Sequence, residues 1–598
     1  MRKILFSLVS LSLPLVLSAA TQVQEKMINN LDTIKAVFEA QYAPGNLKAQ
    51  RFGWNLEHEV EKAKAAVYAN ENITNKDYHK ILSSFFGSMQ DYHCGVYFYS
   101  TENASLPFSV KSIDDKFVIT KIYKDRLSAK IYPIEIGDEL IAFDGRHPSE
   151  VTRELLEKEL NHANLETDQA FADLFLTIRA GMLGMNVPNG PISITVRSAE
   201  TGKVKTYQLI WDYYPEEVKN GSFPQIAAIN DAAKKSHFTQ AKIASPYLEV
   251  VNSLVCTDAD EESEQDPKIA QGRSFIPEMG EIVWQTPDSN PLYAYIYQLD
   301  GAQIGYVRIP SYILEDETIK ELQTILKILE EKTDALVVDE VDNFGGYLFE
   351  VYSIVSMLTD KPLSTPKHRL MITQEDVFEA LADIDQLSHV HSDSEAEAFF
   401  GEEVFGYPVT YQFARFALDF SRFIVEEWNA GRKFTNPTYL SGVDQINPHP
   451  YINYTKPLLV LVNEGDFSGG DFFAAILQDN KRATIFGNRT AGAGGGVRVV
   501  AFPNRLGVVG FSLTTSVAER QDLQPIENLG VTPDIAYKLT EQDVVSGFKG
   551  YVEAANAAVR NLLAPEVLNR PKPQEEVPAE QLAPVQESTR SIAQLLTT

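Results

Sequence analysis

The chain has 598 residues and a formal net charge of −29, from 53 basic and 82 acidic side chains. At roughly 100–200 residues per domain, a chain of this length predicts several domains. Its negative charge repels phosphate backbones and anionic lipid surfaces, so nucleic acid and membranes are excluded from the expected partners.

The first 20 residues have the pattern of a secretory signal peptide, which predicts an exported protein. Arg2 and Lys3 precede an apolar run over 4–17, and small residues follow at 18–20. The run is too short to span a bilayer comfortably, and no other long apolar segment follows. We therefore expect a secreted protein without stable membrane insertion. The two cysteines, Cys94 and Cys256, allow one disulfide bond or two free thiols.

Residues 21–105 predict a helical region, and residues 106–212 predict a β-rich domain. The second region contains the segment IEIGDELIAFDGRHP, over 134–148, in which two short strands are expected to flank a Gly-Asp pair. The dipeptide Asp144-Gly145 is typical of a hairpin turn. The segment resembles a stretch of PDZ domains and predicts a PDZ-like domain. No carboxylate-binding glycine loop is evident, so peptide capture by this domain is not predicted.

Residues 213–281 lack strong periodicity and predict a linker. The acidic run over 258–266 is typical of a solvated loop. A loop of this length inside a globular protein is more often functional or disordered than structural. Near the other end of the chain, residues 564–598 are rich in Pro, Glu and Gln and predict a disordered tail.

Residues 282–563 alternate between strand and helix patterns, which predicts an α/β domain with a largely parallel sheet. The region opens with two strands, YAYIYQL and IGYVRIP, around a Leu-Asp-Gly turn. A helix, DETIKELQTILKILEEK, leads to a buried strand, DALVVDEV, and then to the helix YLFEVYSIVSML. The strand KPLLVLVNEG, the helix DFFAAILQDNK and the strand ATIFGN continue the alternation.

Two strand–turn–helix connections of this domain carry small and polar residues. The first turn contains Gly345 and Gly346, and the second contains Ser468 and Gly469. Glycines leave backbone N–H groups unobstructed, and parallel strands bring their carboxyl ends to one edge of a sheet. These turns therefore predict an oxyanion hole beside a nucleophilic serine. Taken alone, Ser468 also fits the simpler role of a helix N-cap.

A serine nucleophile needs a general base, and the chain has 10 histidines. His93, in GSMQDYHCGVYFYS, lies between the helical region and a strand, and the residues alone give little reason to distinguish it from a core histidine. His389 and His391 lie in HVHSDSEAE, which predicts a polar loop. No third metal ligand accompanies them and no H-E-x-x-H motif occurs, so neither a metal nor another cofactor is predicted.

Six segments resemble the family of the chlamydial protease-like activity factor, within the tail-specific (C-terminal processing) and tricorn-like serine proteases. They are DYHCGVYF, DEVDNFGGYL, KHRLMITQEDV, NEGDFSGGDFFAAILQDN, NRTAGAGG and IENLGVTPDI. The resemblance covers nearly the whole chain between the signal peptide and the tail. It implies an α/β catalytic domain of the ClpP/crotonase-like, tail-specific protease type, preceded by a helical region and a PDZ-like β-rich domain.

Matching these motifs by position implies a role for individual residues. His93 corresponds to the general base, Ser468 to the nucleophile and Glu527 to the carboxylate that orients the histidine. The glycines of the two turns described above correspond to the oxyanion hole. By proximity in the sequence alone, three other carboxylates rival Glu527 as the orienting group: Asp91, Asp466 and Asp471.

One departure from the broader family bears on the choice of base. Tail-specific proteases commonly pair the serine with a lysine in a T-x-G-K-G motif, and here residues 490–494 read TAGAG. Ala493 stands where the lysine would be, so a Ser–Lys dyad is excluded at that position. The base must come from elsewhere in the chain, which favours His93.

The resemblance further implies a zymogen that cleaves itself, a homodimer, and a virulence factor that acts on host proteins in the host cytosol. Residues 213–281 correspond to an inhibitory segment between the PDZ-like and catalytic parts. Its apolar portion, Pro246–Val255, is predicted to add to a sheet edge or to fill the substrate cleft. Cleavage within the segment would leave His93 on one fragment, and Ser468 and Glu527 on the other.

Two other functions fit parts of the sequence. One is a non-catalytic peptide-binding protein, which would use the PDZ-like module together with the α/β domain. The other is a crotonase-type enzyme, whose glycine-turn amides would hold an enolate. The three-residue constellation and the signal peptide favour a secreted serine endopeptidase over both alternatives.

Overall fold

The structure, a computed structural model, describes residues 21–217, 242–244 and 273–563. The predicted signal peptide, the segment Pro246–Val255, the acidic run over 258–266, Cys256 and the predicted tail lie outside the described residues. Cys94 is buried and carries a free thiol. No helix of the described residues is long and apolar enough to cross a membrane.

The N-terminal region is helical, as predicted. It consists of the helices α1 (Gln22–Gln41), α2 (Gly45–Phe52), α3 (Leu56–Tyr68) and α4 (Asn75–Gly87), followed by the strand β1 (Gly95–Phe98). Helix α1 begins at a capping box, in which Thr21 and Gln24 satisfy each other's backbone amides. Its apolar residues recur every three or four positions and join the core formed by α3 and α4, which buries one face of the helix.

The next region combines two helices with two antiparallel sheets. Its elements are β2 (Asn103–Ser105), β3 (Phe108–Ile113), β4 (Lys116–Ile122), β5 (Glu139–Phe143), α5 (Pro148–Lys158), α6 (Leu165–Thr177), β6 (Ile178–Ala180), β7 (Pro191–Arg197), β8 (Val204–Ile210) and β9 (Asp212–Tyr214). Strands β3, β4, β5, β7 and β8 form one sheet in that order, and β6, β2 and β9 form the other.

The segment over 134–148 contains one strand, β5, where two were predicted. The strand predicted before the Gly-Asp pair is wrong, because the Asp138 carboxylate accepts the Glu135 amide at 2.9 Å and holds a turn there. The turn after β5 forms as predicted, with φ of 49° at Asp144 and 75° at Gly145. It leads into α5, whose first residue is Pro148, a favoured first helical residue.

The rest of the described chain alternates between helices and strands. The helices are α7 (Asp316–Lys332), α8 (Leu348–Ser356), α9 (Gln374–Leu387), α10 (Asp393–Phe400), α11 (Tyr411–Asn429), α12 (Gly469–Asp479), α13 (Glu541–Val545) and α14 (Lys549–Leu563). The strands are β10 (Lys242–Ala244), β11 (Glu281–Gln285), β12 (Ala294–Leu299), β13 (Ala302–Arg308), β14 (Ala335–Asp339), β15 (Gly345–Tyr347), β16 (Leu363–Ser364), β17 (Lys367–Leu370), β18 (Glu403–Val404), β19 (Tyr407–Pro408), β20 (Thr438–Tyr439), β21 (Gln445–Ile446), β22 (Leu458–Val462), β23 (Thr484–Gly487), β24 (Val497–Ala501), β25 (Val508–Thr514), β26 (Ser516–Glu519) and β27 (Ile535–Ala536).

A seven-stranded sheet forms the centre of this region, in the order β11, β12, β13, β14, β22, β23, β27. The first three strands are antiparallel, and the strands from β13 to β27 are parallel, as predicted. Every residue of β14 and β22 is buried because helices cover both faces. Leu336 and Val338 pack in the cluster with α7, α8 and α12, whereas Val337 packs in the cluster with α14.

Strand β1 joins the N-terminal helices to the α/β region. It pairs antiparallel with β25, and β24 completes a three-stranded sheet. Phe38 of α1 stacks on Phe511 of β25, with 6.0 Å between the ring centroids. His93 comes two residues before β1, so this pairing anchors it to the α/β region.

The segment HVHSDSEAE, predicted to be a polar loop, contains the start of α10. The helix begins at Asp393 because Ser392 caps it and accepts the Glu395 amide at 3.3 Å. The His391 amide donates to the Glu395 carboxylate at 2.6 Å. Among the described residues, no group of three or more His, Cys, Asp or Glu side chains could hold a metal ion.

Candidate active site

Ser468 lies where the buried strand β22 gives way to α12, and its side chain is fully buried. It occupies the N-cap position of the helix, so the capping interpretation holds for its backbone. Its dihedral angles, φ 54° and ψ −104°, are unusual for a residue with a Cβ atom. The Ser468 amide donates to Asp471 at 2.8 Å, which holds this conformation. A strained serine at a strand-to-helix turn is typical of a nucleophile.

His93 faces this serine from the segment between α4 and β1. Its Nε2 atom lies 3.0 Å from Ser468 Oγ, which is hydrogen-bond distance. The His93 amide donates to Asp91 at 3.0 Å, and its carbonyl accepts from Ser512 Oγ at 2.7 Å. The structure therefore brings together the predicted nucleophile and the predicted base, with both backbone groups of the histidine held in place.

The environment of His93 favours the neutral imidazole. Burial lowers the pKa of His93 to about 4, the nearby Asp91 carboxylate opposes this shift, and the Lys48 ammonium adds to it. At neutral pH the ring therefore carries one proton. With that proton on Nδ1, Nε2 can accept the hydroxyl proton of Ser468, as a general base requires.

Glu527 is buried nearby but does not hydrogen-bond to His93. One carboxylate oxygen pairs with the Lys48 ammonium, and the other accepts the Gly494 amide at 3.2 Å. His93 Nδ1 has no hydrogen-bond partner within the described residues. Burial raises the pKa of Glu527, the Asp91 charge raises it further, and Lys48 opposes both. The orienting role of Glu527 therefore stays a prediction, without a direct contact in this state.

Asp91 is the rival carboxylate on the same segment as the base. It is fully buried, and it accepts hydrogen bonds from Tyr42 Oη at 3.0 Å and from Thr514 Oγ1 at 2.9 Å, besides the His93 amide. These contacts tie the histidine segment to the C-cap of α1 and to β25. Asp91 thus positions the backbone of His93 and does not reach its ring.

The other two rivals serve the turns around Ser468. Asp466 accepts amides at positions 343 and 463, and so links the two strand–turn–helix connections. Asp471 accepts the amides at positions 468, 492 and 493 and the hydroxyl at position 490. Both are buried, and neither contacts the His93 ring, so both act as backbone supports.

The glycines predicted to form the oxyanion hole lie against one another. A Cβ atom on Gly469 would come within 3.0 Å of Gly345 Cα and 3.1 Å of Gly346 N, so the two turns are in contact. The Gly345 amide donates to Asn343 Oδ1 at 2.8 Å. The Gly469 amide remains as a candidate donor, since Gly469 is the first residue of α12 and has no intrahelical acceptor. Gly346 lies beside it and opposite Ile243 of β10, so its amide is a candidate donor only when that pairing opens.

Lys48 is a charged residue of this site that the sequence did not indicate. It lies on the short helix α2 and is fully buried. Lysine is rarely fully buried unless it is paired, and no motif marks this position. The contact with Glu527 joins residues 479 positions apart, so only the tertiary structure makes it visible.

Three aromatic rings pack together beside the segments that carry His93 and Ser468. Tyr92 precedes His93 and Phe467 precedes Ser468, and their ring centroids lie 5.4 Å apart. Phe171 of α6 packs on both, at 5.6 Å from Tyr92 and 5.4 Å from Phe467. Helix α6 therefore fixes the distance between the two segments that carry the catalytic side chains.

We expect Phe171→Ala to lower the melting temperature and to reduce kcat. The change opens a cavity in a buried cluster, which typically costs about 3–5 kcal/mol, and it frees Tyr92 and Phe467 to shift. Phe378→Ala is the matched control, because that ring on α9 is 75% exposed. Thermal melts and peptide hydrolysis measure both effects. Equal behaviour of the two variants would contradict the supporting role of α6.

Helix α6 also covers one edge of the PDZ-like sheet. Strand β3 is an edge strand, and its Ser112 amide and hydroxyl donate to Asp173 of α6 at 2.5 and 2.8 Å. The Leu106 amide donates to the Thr177 carbonyl at 2.8 Å. Extended peptides add to free sheet edges, and this edge is occupied. This agrees with the missing carboxylate-binding loop and gives no support to peptide binding as the main function.

Comparison with known proteins bears out the resemblance. Residues 303–537 match the sequence pattern of peptidase family S41, and residues 102–218 match that of the PDZ domain. A protein of Chlamydia pneumoniae is 34% identical over 576 residues, which cover 90% of this chain and 91% of that protein. An uncharacterized protein of Chlamydia muridarum is 32% identical over 574 residues, which cover 90% of this chain and 93% of that protein.

Two solved structures extend the similarity to three dimensions. The crystal structure of mature CPAF is similar with a TM-score of 0.77 and 31% identity, over 91% of this chain and 98% of that chain. The structure of mature CPAF complexed with lactacystin is similar with a TM-score of 0.77 and 32% identity, over 91% of this chain and 99% of that chain. The chain therefore belongs to peptidase family S41, in the group represented by CPAF, the chlamydial protease-like activity factor, and is a serine peptidase.

Proposed function

We propose that the protein is a secreted serine endopeptidase that cleaves proteins through Ser468, His93 and Glu527. The 3.0 Å separation between His93 Nε2 and Ser468 Oγ is the observation that carries this proposal. The strained serine backbone, the low pKa of His93 and the adjoining glycine turns support it.

The reaction follows from this geometry. His93 Nε2 takes the Ser468 proton as Oγ bonds to the carbonyl carbon of the scissile peptide. The amides of Gly346 and Gly469 donate to the oxyanion, and the loss of one such donor typically costs about 10²–10³ in rate. The imidazolium passes its proton to the leaving amine. His93 then takes a proton from a water molecule as the water oxygen bonds to the acyl carbon, and it returns the proton to Ser468 Oγ as the bond from Oγ to the acyl carbon breaks. Glu527 stabilises the imidazolium by its charge.

We propose further that the chain is made as a zymogen whose own segment occupies the substrate site. Strand β10 pairs antiparallel with β15, with Ile243 opposite Gly346 and Ala244 opposite Gly345. β15 carries glycines of the oxyanion turn, and an added strand takes the place that an extended substrate would occupy. β10 belongs to the predicted inhibitory segment over 213–281, so the pairing supports the proposal.

Purified wild-type precursor is expected to cut itself within residues 213–281, while Ser468→Ala stays intact. Gel electrophoresis and mass spectrometry over time would follow the two fragments, and peptide hydrolysis should rise with their appearance. The fragments are expected to elute together, because the histidine and serine segments share one buried site. A wild-type chain that stays intact at full proteolytic activity would rule out the zymogen.

The residue pattern over 1–20 supports export of the protein. The resemblance supports action on proteins of a host cell in its cytosol and assembly as a homodimer. Endopeptidase action itself is tested with casein and the processed protein. Internal casein peptides from wild type, and none from Ser468→Ala, are expected in mass spectra. Release of terminal residues alone, or no hydrolysis by the processed form, would contradict the proposal.

A further inference from the structure

A buried lysine ties the loop of Glu527 to the segment of His93. Lys48 Nζ donates to the Gln90 carbonyl at 2.7 Å and to Asn528 Oδ1 at 2.6 Å, and it pairs with the Glu527 carboxylate. The Asn528 amide group also donates to the Gln90 carbonyl, at 2.8 Å. All three N–H bonds of the ammonium are thus used, and each points to a segment next to a catalytic residue.

We propose that Lys48 is a positioning residue of the active site, which keeps Glu527 ionised and fixed beside the histidine segment. This role rests on the proposed function, because Lys48 can act through Glu527 only if Glu527 orients or stabilises His93. Lys48 acts through the carboxylate, since the three acceptors of its ammonium do not include Ser468 or the His93 ring.

The surroundings of Glu527 explain why a cation is needed there. The side chains of Glu527, Asp91 and His93 are essentially fully buried, so both carboxyl groups are removed from bulk solvent. Burial and the charge of Asp91 both raise the pKa of Glu527, and Lys48 is the main group that opposes them. Arg51 also faces this loop, but it donates to the Glu527 carbonyl, at 3.4 Å.

The alternative is a structural role, in which Lys48 only helps the chain to fold. The side-chain chemistry distinguishes the two. A positioning lysine sets the ionisation of Glu527, so its loss moves a pH profile, whereas a structural lysine affects stability at every pH. Because burial lowers the pKa of His93 to about 4 and raises that of Glu527, we expect the acid limb of kcat/KM to follow the carboxyl.

Lys48→Met in the full chain tests the proposal. Without the ammonium, the acid limb of kcat/KM is expected to move up by about one to three pH units. At a pH just above the wild-type limb, kcat should fall about tenfold or more, with KM little changed. Lys48→Arg keeps the charge and should keep the limb near its wild-type position. Lys62→Met is the control, because Lys62 pairs with Glu59 on the exposed side of α3.

A double variant separates an indirect role from an independent one. If Lys48 acts through Glu527, adding Lys48→Met to Glu527→Gln should lower kcat no further. The proposal would be overturned if the losses of kcat from the two substitutions multiplied in the double variant. It would also be overturned if the acid limb of kcat/KM were unchanged in Lys48→Met. Should Lys48→Met fail to fold, the double variant, which removes both charges, decides through kcat. A kcat equal to that of Glu527→Gln supports the proposal, and a clearly lower kcat overturns it.

The outcome is separable from a failure of the proposed function. If the processed wild-type protein neither cleaves casein nor reacts at Ser468, the peptidase proposal fails, and the inference about Lys48 fails with it. If the wild-type protein is active and the acid limb of kcat/KM does not move in Lys48→Met, only the inference about Lys48 fails.

Discussion

Ser468→Ala and His93→Ala are each expected to lower kcat by about 10⁴–10⁶-fold, and the double variant should be hardly worse than either. The two side chains act as a unit, because the hydroxyl is a poor nucleophile until His93 Nε2, 3.0 Å away, takes its proton. Initial rates on a peptide substrate measure the loss. Circular dichroism and thermal melts establish that each variant is folded.

Independent losses that multiply in the double variant would contradict this coupling. A His93→Ala protein with near-normal activity would remove His93 as the base and reopen the choice among the other side chains of the site. Phe378→Ala serves again as the folded control, because its exposed ring is remote from both catalytic segments in the sequence.

Glu527→Gln is expected to lower kcat by about 10³–10⁴-fold, since the group that stabilises the imidazolium loses its charge. By shape alone, glutamine in place of glutamate would leave the fold intact. The structure alters that expectation. Glutamine would leave the Lys48 ammonium buried without its counter-ion, and breaking a buried pair in this way typically costs about 3–5 kcal/mol.

Rate measurements and thermal melts of Glu527→Gln therefore report two separate effects. The loss of stability should be smaller in the double variant with Lys48→Met, because that protein buries no unpaired charge. Near-normal turnover of Glu527→Gln would move the orienting role to Asp91 or another carboxylate. Unchanged stability would show that the ammonium finds other acceptors when Glu527 is gone.

Local patterns predicted the α/β region well, and the reason is physical. Strands β14 and β22 are short apolar runs with every residue buried, and α7 has a regular apolar stripe. Such patterns arise from the burial of one element and need no knowledge of the rest of the chain. The sequence does not predict helices α5 and α6, because turn residues and strand-like runs surround both of them within residues 106–212.

The active site could not be predicted from local pattern in the same way. His93 and Ser468 are 375 residues apart, and their contact depends on the pairing of β1 with β25. The motif resemblance supplied both residues, whereas physical reasoning from the sequence supplied only a candidate serine at a turn. Neither the motif resemblance nor physical reasoning from the residues predicts the role of Lys48, since a lysine on a short helix is ordinarily exposed to solvent.

The central claim is that His93 activates Ser468 as a nucleophile, and a fluorophosphonate probe tests it most directly. The processed wild-type protein is expected to form one covalent adduct, which mass spectrometry of the digested protein locates on Ser468. Ser468→Ala should carry no adduct, and His93→Ala should react much more slowly. Absence of labelling in a processed, folded wild-type protein, or labelling that persists in Ser468→Ala, would contradict the claim.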